Sequence, residues 1–445
     1  MKCIEEEIPF DLPEGWVWVR LSSIADMALG KMLDVAKNKG SLRPYLRNVN
    51  VRWGTFELSD VLDMRFEDDE LERYSIRHGD LVICEGGEPG RCAVWQSEEV
   101  VFYQKALHRV RAIEVLPEYL YYVIRHFITS TQYERYYTGT TIKHLTGQSL
   151  QVLPIPLPPM SEQQLIVKHL QHIIGEIDKV ETEKSEALSL VSLAKSKILN
   201  LAISGQLVPQ DPADEPASVL LERIRAEKEE LIKQGKLKRD KKESVIFRGE
   251  DNSYYLRTGD LVESLEDWAF EELPDSWGIC CLGELCDYGN CLNVDTASIS
   301  DSAWILDLED IEKDSGVVLR KVRKSERNAA STKHFFHRGQ VLYSKLRPYL
   351  NKVVLSDEDG YCTSEILPLE FERNVLPQYA RYYLMSPVFL EYANKCSYGV
   401  KMPRLGTVDG KKSIISIPPI EEQKRIVLAI EQAFTQLAAI TQNLL

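Results

Sequence analysis

A run of about eighteen apolar residues, the length a membrane-spanning helix needs, does not occur in this 445-residue chain. The first residues carry Glu5-Glu6-Glu7 and then Pro9, so no secretory signal is expected. Cysteine is scarce and scattered, with nine in all; Cys280, Cys281, Cys286 and Cys291 cluster, but their gaps are not those of a zinc ribbon. Buried thiols in a reduced, cytoplasmic protein are expected instead. Positive charge is short, with 54 Lys and Arg against 68 Asp and Glu and a net charge of −14. That balance excludes a nucleic-acid binder relying on its own overall field, so any such contact must use local patches or a partner's field.

Catalytic strings are missing too. No glycine-rich phosphate loop ends in Gly-Lys-Ser/Thr, no Ser or Cys sits in a nucleophile elbow, and no Asn/Asp-Pro-Pro-Tyr/Phe string is found. Gly86-Gly87-Glu88-Pro89-Gly90 has an acid and a proline where a phosphate cradle needs free amides, and reads as a turn. His334 and His337 have no further ligand beside them in sequence and read as a surface pair, so no metal is expected.

What the chain does contain is itself, twice. Leu12-Pro13-Glu14-Gly15-Trp16 returns as Leu273-Pro274-Asp275-Ser276-Trp277, an offset of 261. At an offset of 260, Leu116-Pro117 with Tyr119 and Tyr122 returns as Leu376-Pro377 with Tyr379 and Tyr382, and Gly139 returns as Gly399. Pro158-Pro159 with Glu162-Gln163 returns as Pro418-Pro419 with Glu422-Gln423. A repeat of this length is a duplicated domain, not a solenoid unit, and two copies suit a target with two halves.

Residues 10–158 mix short strand-like runs (Trp16 to Leu21, Leu81 to Cys84, Ala106 to Ile113) with turn signals, and Pro117 opens a helix expected over Glu118 to Tyr137. Leu153 to Pro159 holds four prolines and must be extended. Ser161 then caps a helix expected over residues 161–204 and ended by Gly205, a rod of roughly 66 Å at ~1.5 Å per residue. Its apolar residues step by four and three: Ile166, Leu170, Ile173, Ile177, Val180, then Lys184 as the break, then Ala187, Val191, Ala194, Ile198 and Leu201. This is a coiled-coil seam. Ile426, Ile430, Ala433, Leu437, Ile440 and Leu444 continue the same phase in the second copy, and the two seams are expected to pair. Between the modules come a bend over Pro209 to Pro216, an amphipathic helix over Val219 to Ile232, and a basic run of Lys233, Lys236, Lys238, Arg239, Lys241 and Lys242.

With no chemistry encoded, recognition remains. Each copy has a glycine-and-base loop ahead of its proline stretch: Gly139-Thr140-Thr141-Ile142-Lys143-His144, and Tyr398-Gly399-Val400-Lys401-Met402-Pro403-Arg404. Glycine permits close backbone approach, Lys and Arg pair with phosphates or guanine edges, and Thr can serve either. The candidate DNA contacts are Arg43, Arg47, Thr140, Thr141 and Lys143 in the first copy and Lys345, Arg347, Lys401 and Arg404 in the second. Tyr45, Arg52, Trp53 and Tyr349 stand near them in sequence.

The duplicated Pro-Pro-x-x-Glu-Gln before a long helix, the Leu-Pro-x-x-Trp opening each copy, and Ser204-Gly205-Gln206-Leu207-Val208-Pro209 together resemble the specificity subunit of type I restriction–modification enzymes over nearly the whole chain. The resemblance implies an α+β chain of two globular α/β target recognition domains, residues 1–158 and 246–419. A central spacer helix and connector, 159–245, and a short distal helix, 420–445, would form an antiparallel coiled coil. It implies a non-catalytic reader of a bipartite site in double-stranded DNA that works with methyltransferase and restriction subunits. S-adenosylmethionine, ATP and Mg would belong to those partners, and no membrane is involved. The distal helix has only 25 residues from Glu421 to Leu445 against 44 in residues 161–204, so the two-fold pairing is expected to be incomplete. Two other readings stay open: an enzyme fused to such domains, which would need motifs the chain lacks, and a coiled-coil assembly scaffold without DNA readout.

Overall fold

Each half of the sequence repeat closes on itself in the computed structural model by pairing its first strand with its last. Val17–Arg20 runs antiparallel to Pro154–Leu157, with Trp18 opposite Pro156 and Arg20 opposite Pro154. Gly278–Cys281 runs antiparallel to Ile414–Ile417 in the same way. Proline lacks an amide donor, so it is tolerated in a strand with a neighbour on one side only, and these strands form two-stranded sheets. The proline-rich stretch is thus a strand as well as a bridge. The structure describes residues 7–34, 36–130, 132–235, 244–249, 251, 253–265, 273–327, 331–372 and 374–444. They fall into two units, Met1–Thr182 and Glu183–Leu445.

In the first unit a four-stranded sheet orders Leu62–Phe66, Ser41–Leu46, Val101–Tyr103 and Ser75–Ile76, with a parallel pairing between the middle two. A second, antiparallel sheet orders Ala25–Leu29, Leu107–Ala112, Leu81–Cys84 and Cys92–Val94. Leu81–Cys84 is buried at every position, which its unbroken apolar run dictates. The helix that Pro117 opens ends at Thr129, short of Tyr137. Thr129 and Ser130 turn their hydroxyls back onto the carbonyls of Arg125 and His126, competing with helix continuation, and Tyr133 is buried against Phe127 instead.

The second unit repeats the plan. A five-stranded sheet orders Asn293–Val294, Lys333–Phe336, Gly360–Thr363, Trp304–Leu306 and Val322–Arg323, again with a parallel pairing, Trp304–Leu306 on Gly360–Thr363. A three-stranded sheet orders Val353–Leu355, Val341–Ser344 and Ile366–Leu369. The connector helix spans Ala217–Lys233, and a meander of Ser244–Arg248, Tyr254–Thr258 and Leu261–Ser264 follows it. Ala217, Leu220, Leu221 and Ile224 are buried in the main core of this unit, so the connector is part of the second globule and not a free linker. Of the basic run, Lys233 ends the connector helix; Lys236 to Lys242 lie outside the described residues.

The repeated sequence motifs are structural latches. Trp16 Nε1 donates to Glu162 Oε2 at 2.8 Å, and Trp277 Nε1 donates to Glu422 Oε1 at 3.1 Å. Gln163 accepts from the Leu116 amide at 3.0 Å and donates to Pro158 O at 3.0 Å; Gln423 does the same with Leu376 at 2.9 Å and Pro418 at 3.0 Å. The Tyr119 hydroxyl donates to Pro156 O, and the Tyr379 hydroxyl to Ser416 O. The Trp, Leu-Pro and Glu-Gln anchors of the repeat therefore tie the start of each long helix to its own globule.

The spacer helix spans Met160–Ile203, 44 residues, and ends at Gly205 in a left-handed conformation, with the Gln206 amide on Leu201 O. A Cβ at Gly205 would sit 2.5 Å from Pro274, so glycine is required there. The distal helix spans Ile420–Leu444, 25 residues. Within the second unit the two helices run antiparallel: Ser416 bonds to Ile203 O just before the distal helix begins, while Lys195, earlier in the spacer, lies over Phe434, later in the distal helix. Val191, Leu199, Ala202, Ile203, Ile426 and Ile430 are buried, with Ile198 and Val427 partly so. Leu201 and Leu437 are half-buried and Ile440 is exposed. In the first unit Ile166 and Leu170 are half-buried, but Ile173, Ile177 and Val180 are 53%, 52% and 61% exposed. A 25-residue helix spans only roughly 38 Å at ~1.5 Å per residue, little more than half the spacer.

Candidate nucleic-acid interface

The glycine of each candidate loop adopts positive φ, 91° at Gly139 and 95° at Gly399, and turns the chain back on itself. In the first unit Thr138 and His144 exchange backbone hydrogen bonds, at 2.8 and 2.9 Å, across the turn. Thr140, Thr141, Ile142 and Lys143 are exposed at its tip. Lys143 Nζ donates to Glu134 Oε1 at 3.1 Å and lies over the Tyr137 ring.

A second turn, Glu85 to Arg91, abuts this loop. The Leu145 amide donates to Glu85 O at 2.7 Å and the Tyr137 hydroxyl to Pro89 O at 3.1 Å. His144 lies so close over Gly86 that a Cβ there would meet its Nδ1 at 2.8 Å. Glu88 accepts from Trp53 Nε1 at 2.8 Å and from Arg91 Nη1 at 2.7 Å. Asn48 Nδ2 donates to Gly86 O at 2.7 Å, which brings in the neighbouring Arg47, itself held by Asp60 through Nη2 at 2.7 Å. The structure thus joins Arg47 with the Thr140–Lys143 loop through one hydrogen-bonded network. Arg43 stands exposed on its strand opposite Met64, outside that network.

The second unit reproduces the arrangement with different chemistry. Ser397–Tyr398 pairs with Arg404–Leu405, leaving Val400 and Lys401 exposed at the tip. The facing turn runs from Lys345 to Asn351. The Leu405 amide donates to Lys345 O at 3.0 Å, the counterpart of Leu145 on Glu85 at an offset of 260, and the Arg347 amide donates to Pro403 O at 2.7 Å. Arg404 forms a forked pair with Glu365 at 2.9–3.2 Å, and this guanidinium holds the Glu365 carboxyl below the ordinary carboxylate range. Lys345, Arg347, Lys401 and Arg404 are therefore brought to one corner. Sequence reading missed Asn48 and Glu365, and gave no holding role to Glu88 and His144 although it named both in the turn and the loop; carrying the 260 offset into the loops would have paired Glu85 with Lys345 and His144 with Arg404.

The two histidines near the second sheet separate. His334 is buried, its Nδ1 2.9 Å from Ile366 O, and burial lowers its pKa; it is a core residue, not half of a surface pair. His337 is exposed beside Glu370. Among the described residues no group of three or more His, Cys, Asp or Glu could hold a metal, and no helix is long and apolar enough to cross a membrane. Six of the eight described cysteines are buried and all eight are free; burial pushes the Cys84 thiol up to about 11.

The family model for the type I restriction modification DNA specificity domain matches residues 13–189 and 274–445, one match for each copy of the repeat. Among curated proteins, the EcoBI specificity subunit of Escherichia coli is 22% identical over 99% of this chain and 84% of its own length. The EcoDI subunit is 22% identical over 77% of this chain and 68% of its own, and the EcoAI subunit 26% identical over 64% and 53%. The chain thus spans about half to two thirds of the length of several of these relatives. The HsdS subunit from Thermoanaerobacter tengcongensis shares the fold, with a TM-score of 0.52 and 19% identity over 98% of this chain and 93% of that one. So does a chain solved in work on complex assembly and conformational transition of the type I R-M system, with a TM-score of 0.60 and 18% identity over 98% and 94%. With both matched segments coinciding with the duplicated modules, this chain belongs to the family of type I restriction–modification specificity subunits.

Proposed function

We propose that this chain reads a bipartite site in double-stranded DNA, one half-site per globular module, and directs methyltransferase and restriction subunits to it from the cytoplasm. The observation that supports this best is the repeated corner: two abutting turns, joined by the same backbone bond at an offset of 260, carry exposed Thr140, Thr141 and Lys143 in one unit, and exposed Lys401 with half-buried Lys345, Arg347 and Arg404 in the other. The chain performs no chemistry in this reading. S-adenosylmethionine, ATP and Mg act on the partner subunits, which also supply the positive field that a chain of net charge −14 lacks.

Gel shifts across a salt series, with and without methyltransferase subunits, test the reading. Sequence-dependent, salt-sensitive binding by the complex is expected, with weak binding by the chain alone. A complex that assembles but shows no DNA dependence on this chain would favour a scaffold instead. The spacer supplies a second test. A heptad inserted between His172 and Val180 lengthens the helix by roughly 10 Å, about three base-pair rises. Methylation mapping should show the gap between half-sites widened and both half-site sequences unchanged. A changed half-site with an unchanged gap would show that the helix is not the ruler.

A further inference from the structure

Carrying the 260-residue offset through this corner pairs Arg347 with Gly87 of the first copy. Both backbones are left-handed, with φ of 75° at Gly87 and 51° at Arg347. Glycine adopts this conformation freely, whereas a residue with a Cβ is strained in it. Such strain persists only where the surroundings over-determine it, and it clusters at functional positions. The surroundings here do so: the Arg347 amide is fixed to Pro403 O, its carbonyl accepts from the Leu350 amide, and Pro348 follows it.

The side chain stands apart from Arg47, Arg91 and Arg404, the other arginines of the two corners, each of which is ion-paired. Arg47 is engaged by Asp60, Lys143 by Glu134 and Arg404 by Glu365. Arg347 has no side-chain hydrogen-bond or ion-pair partner among the described residues, and its Nε is shielded from solvent without an acceptor. A half-buried guanidinium on a fixed stem, beside exposed Tyr349, Val400 and Met402, suits a planar target more than a solvated phosphate. Resting on the DNA-reading function above, we propose that Arg347 is a specificity-determining residue of the second module, presenting its two-pronged edge to O6 and N7 of a guanine in the major groove. Gly87 leaves the first module without that contact, and Glu85 and Glu88 replace the base at Lys345 and the apolar ring-bearing turn around it with acid.

The test uses the complex of this chain with its methyltransferase subunits and a duplex library randomised at both half-sites. The wild type should prefer guanine at one position of the second half-site. Arg347→Gly should lose that preference by roughly five- to hundredfold and leave the first half-site unchanged. Because glycine relieves the backbone, its thermal midpoint should match or exceed the wild type's. Arg347→Lys, with the charge but not the fork, should lose the preference and keep the salt dependence. Gly87→Arg has room for its side chain, since a Cβ there meets Asn48 at an ordinary 3.5 Å, but its φ of 75° strains any residue with a Cβ; it should lower the thermal midpoint and add a guanine preference to the first half-site. An Arg347→Gly complex weakened equally on all sequences would make Arg347 a phosphate contact and overturn the proposal, as would an unchanged selection. A wild-type complex that selects no sequence at all would instead sink the DNA-reading function itself.

Discussion

Trp16 and Trp277 make the same bond in two different settings. Glu162, which receives Trp16, is half-exposed. Glu422, which receives Trp277, is completely buried, and the same Oε1 also accepts from Gln210 of the connector at 2.6 Å. Its Oε2 is shielded and unpartnered, and burial raises its pKa despite the two donors. The Pro-Pro-x-x-Glu-Gln motif thus encodes how a long helix is attached, while the surroundings decide whether the attachment is a surface tie or a buried charge. In the second unit the neighbourhood includes the connector and the paired end of the spacer, so one carboxylate holds three segments. The same contrast runs along the spacer helix: its last turns are buried in the main core of the second unit, together with the start of the distal helix, whereas Ile173, Ile177 and Val180 face solvent.

The largest effect should come from putting a charge where that packing is complete. Ile430→Asp, at a fully buried site, should cost about 3–5 kcal/mol and lower the thermal midpoint by roughly ten degrees. Ile173→Asp, at a site more than half exposed, should change the stability of the chain alone by no more than about 0.5 kcal/mol. Equal losses in thermal melts would erase the distinction between the buried face of the distal helix and the exposed stretch of the spacer. Next in size is the latch. Glu422→Ala strands the Trp277 and Gln210 donors and should cost about 1–3 kcal/mol, whereas Glu162→Ala, where water can reach Trp16, should cost about 0.5–1.5 kcal/mol. Denaturant titrations of the two variants rank them directly, and the reverse order would refute the burial argument.

The smallest effects are those of pH. A carboxyl whose pKa is raised in the fold contributes stability that is present at low pH and lost as pH rises through its folded value. Glu422 is such a group, so between about pH 4 and 7 the wild type should lose stability with rising pH more steeply than Glu422→Gln. Glu365 has the opposite sign: its lowered pKa means that the Arg404 pair stabilises at neutral pH and is lost as pH falls through the folded value. Glu365→Gln should flatten that acid limb. Identical pH slopes in wild type and variant would remove either carboxyl from the linkage.

Much of this architecture was readable from periodicity and punctuation. The spacer helix was expected over 161–204 and spans Met160–Ile203; the connector helix was expected over Val219 to Ile232 and spans Ala217–Lys233. Long amphipathic patterns bounded by proline and glycine have few alternatives. Illegible was whatever depends on a partner distant in sequence. A heptad pattern states that a helix can pair, not how far its partner extends, so Ile173, Ile177 and Val180 read the same as Val191. Nothing local marks Glu365 as the partner of Arg404, or Ile366 as the acceptor that draws His334 into the core. The latch residues were visible as a repeat, yet their bonds cross roughly 145 residues of chain and could only be seen once folded.

The pairing of each module's first strand with its last also has a consequence for how such a protein can change. Chain entering at Val17 leaves at Leu157, and chain entering at Gly278 leaves at Ile417, on hydrogen-bonded neighbours. Everything between behaves as a cassette whose two ends meet at one doorway. Domains with adjoining termini tolerate insertion and exchange, because the surrounding chain experiences only the doorway. A module could therefore be replaced wholesale, with a new reading head and new loops, while the helix that begins just beyond it keeps its own register.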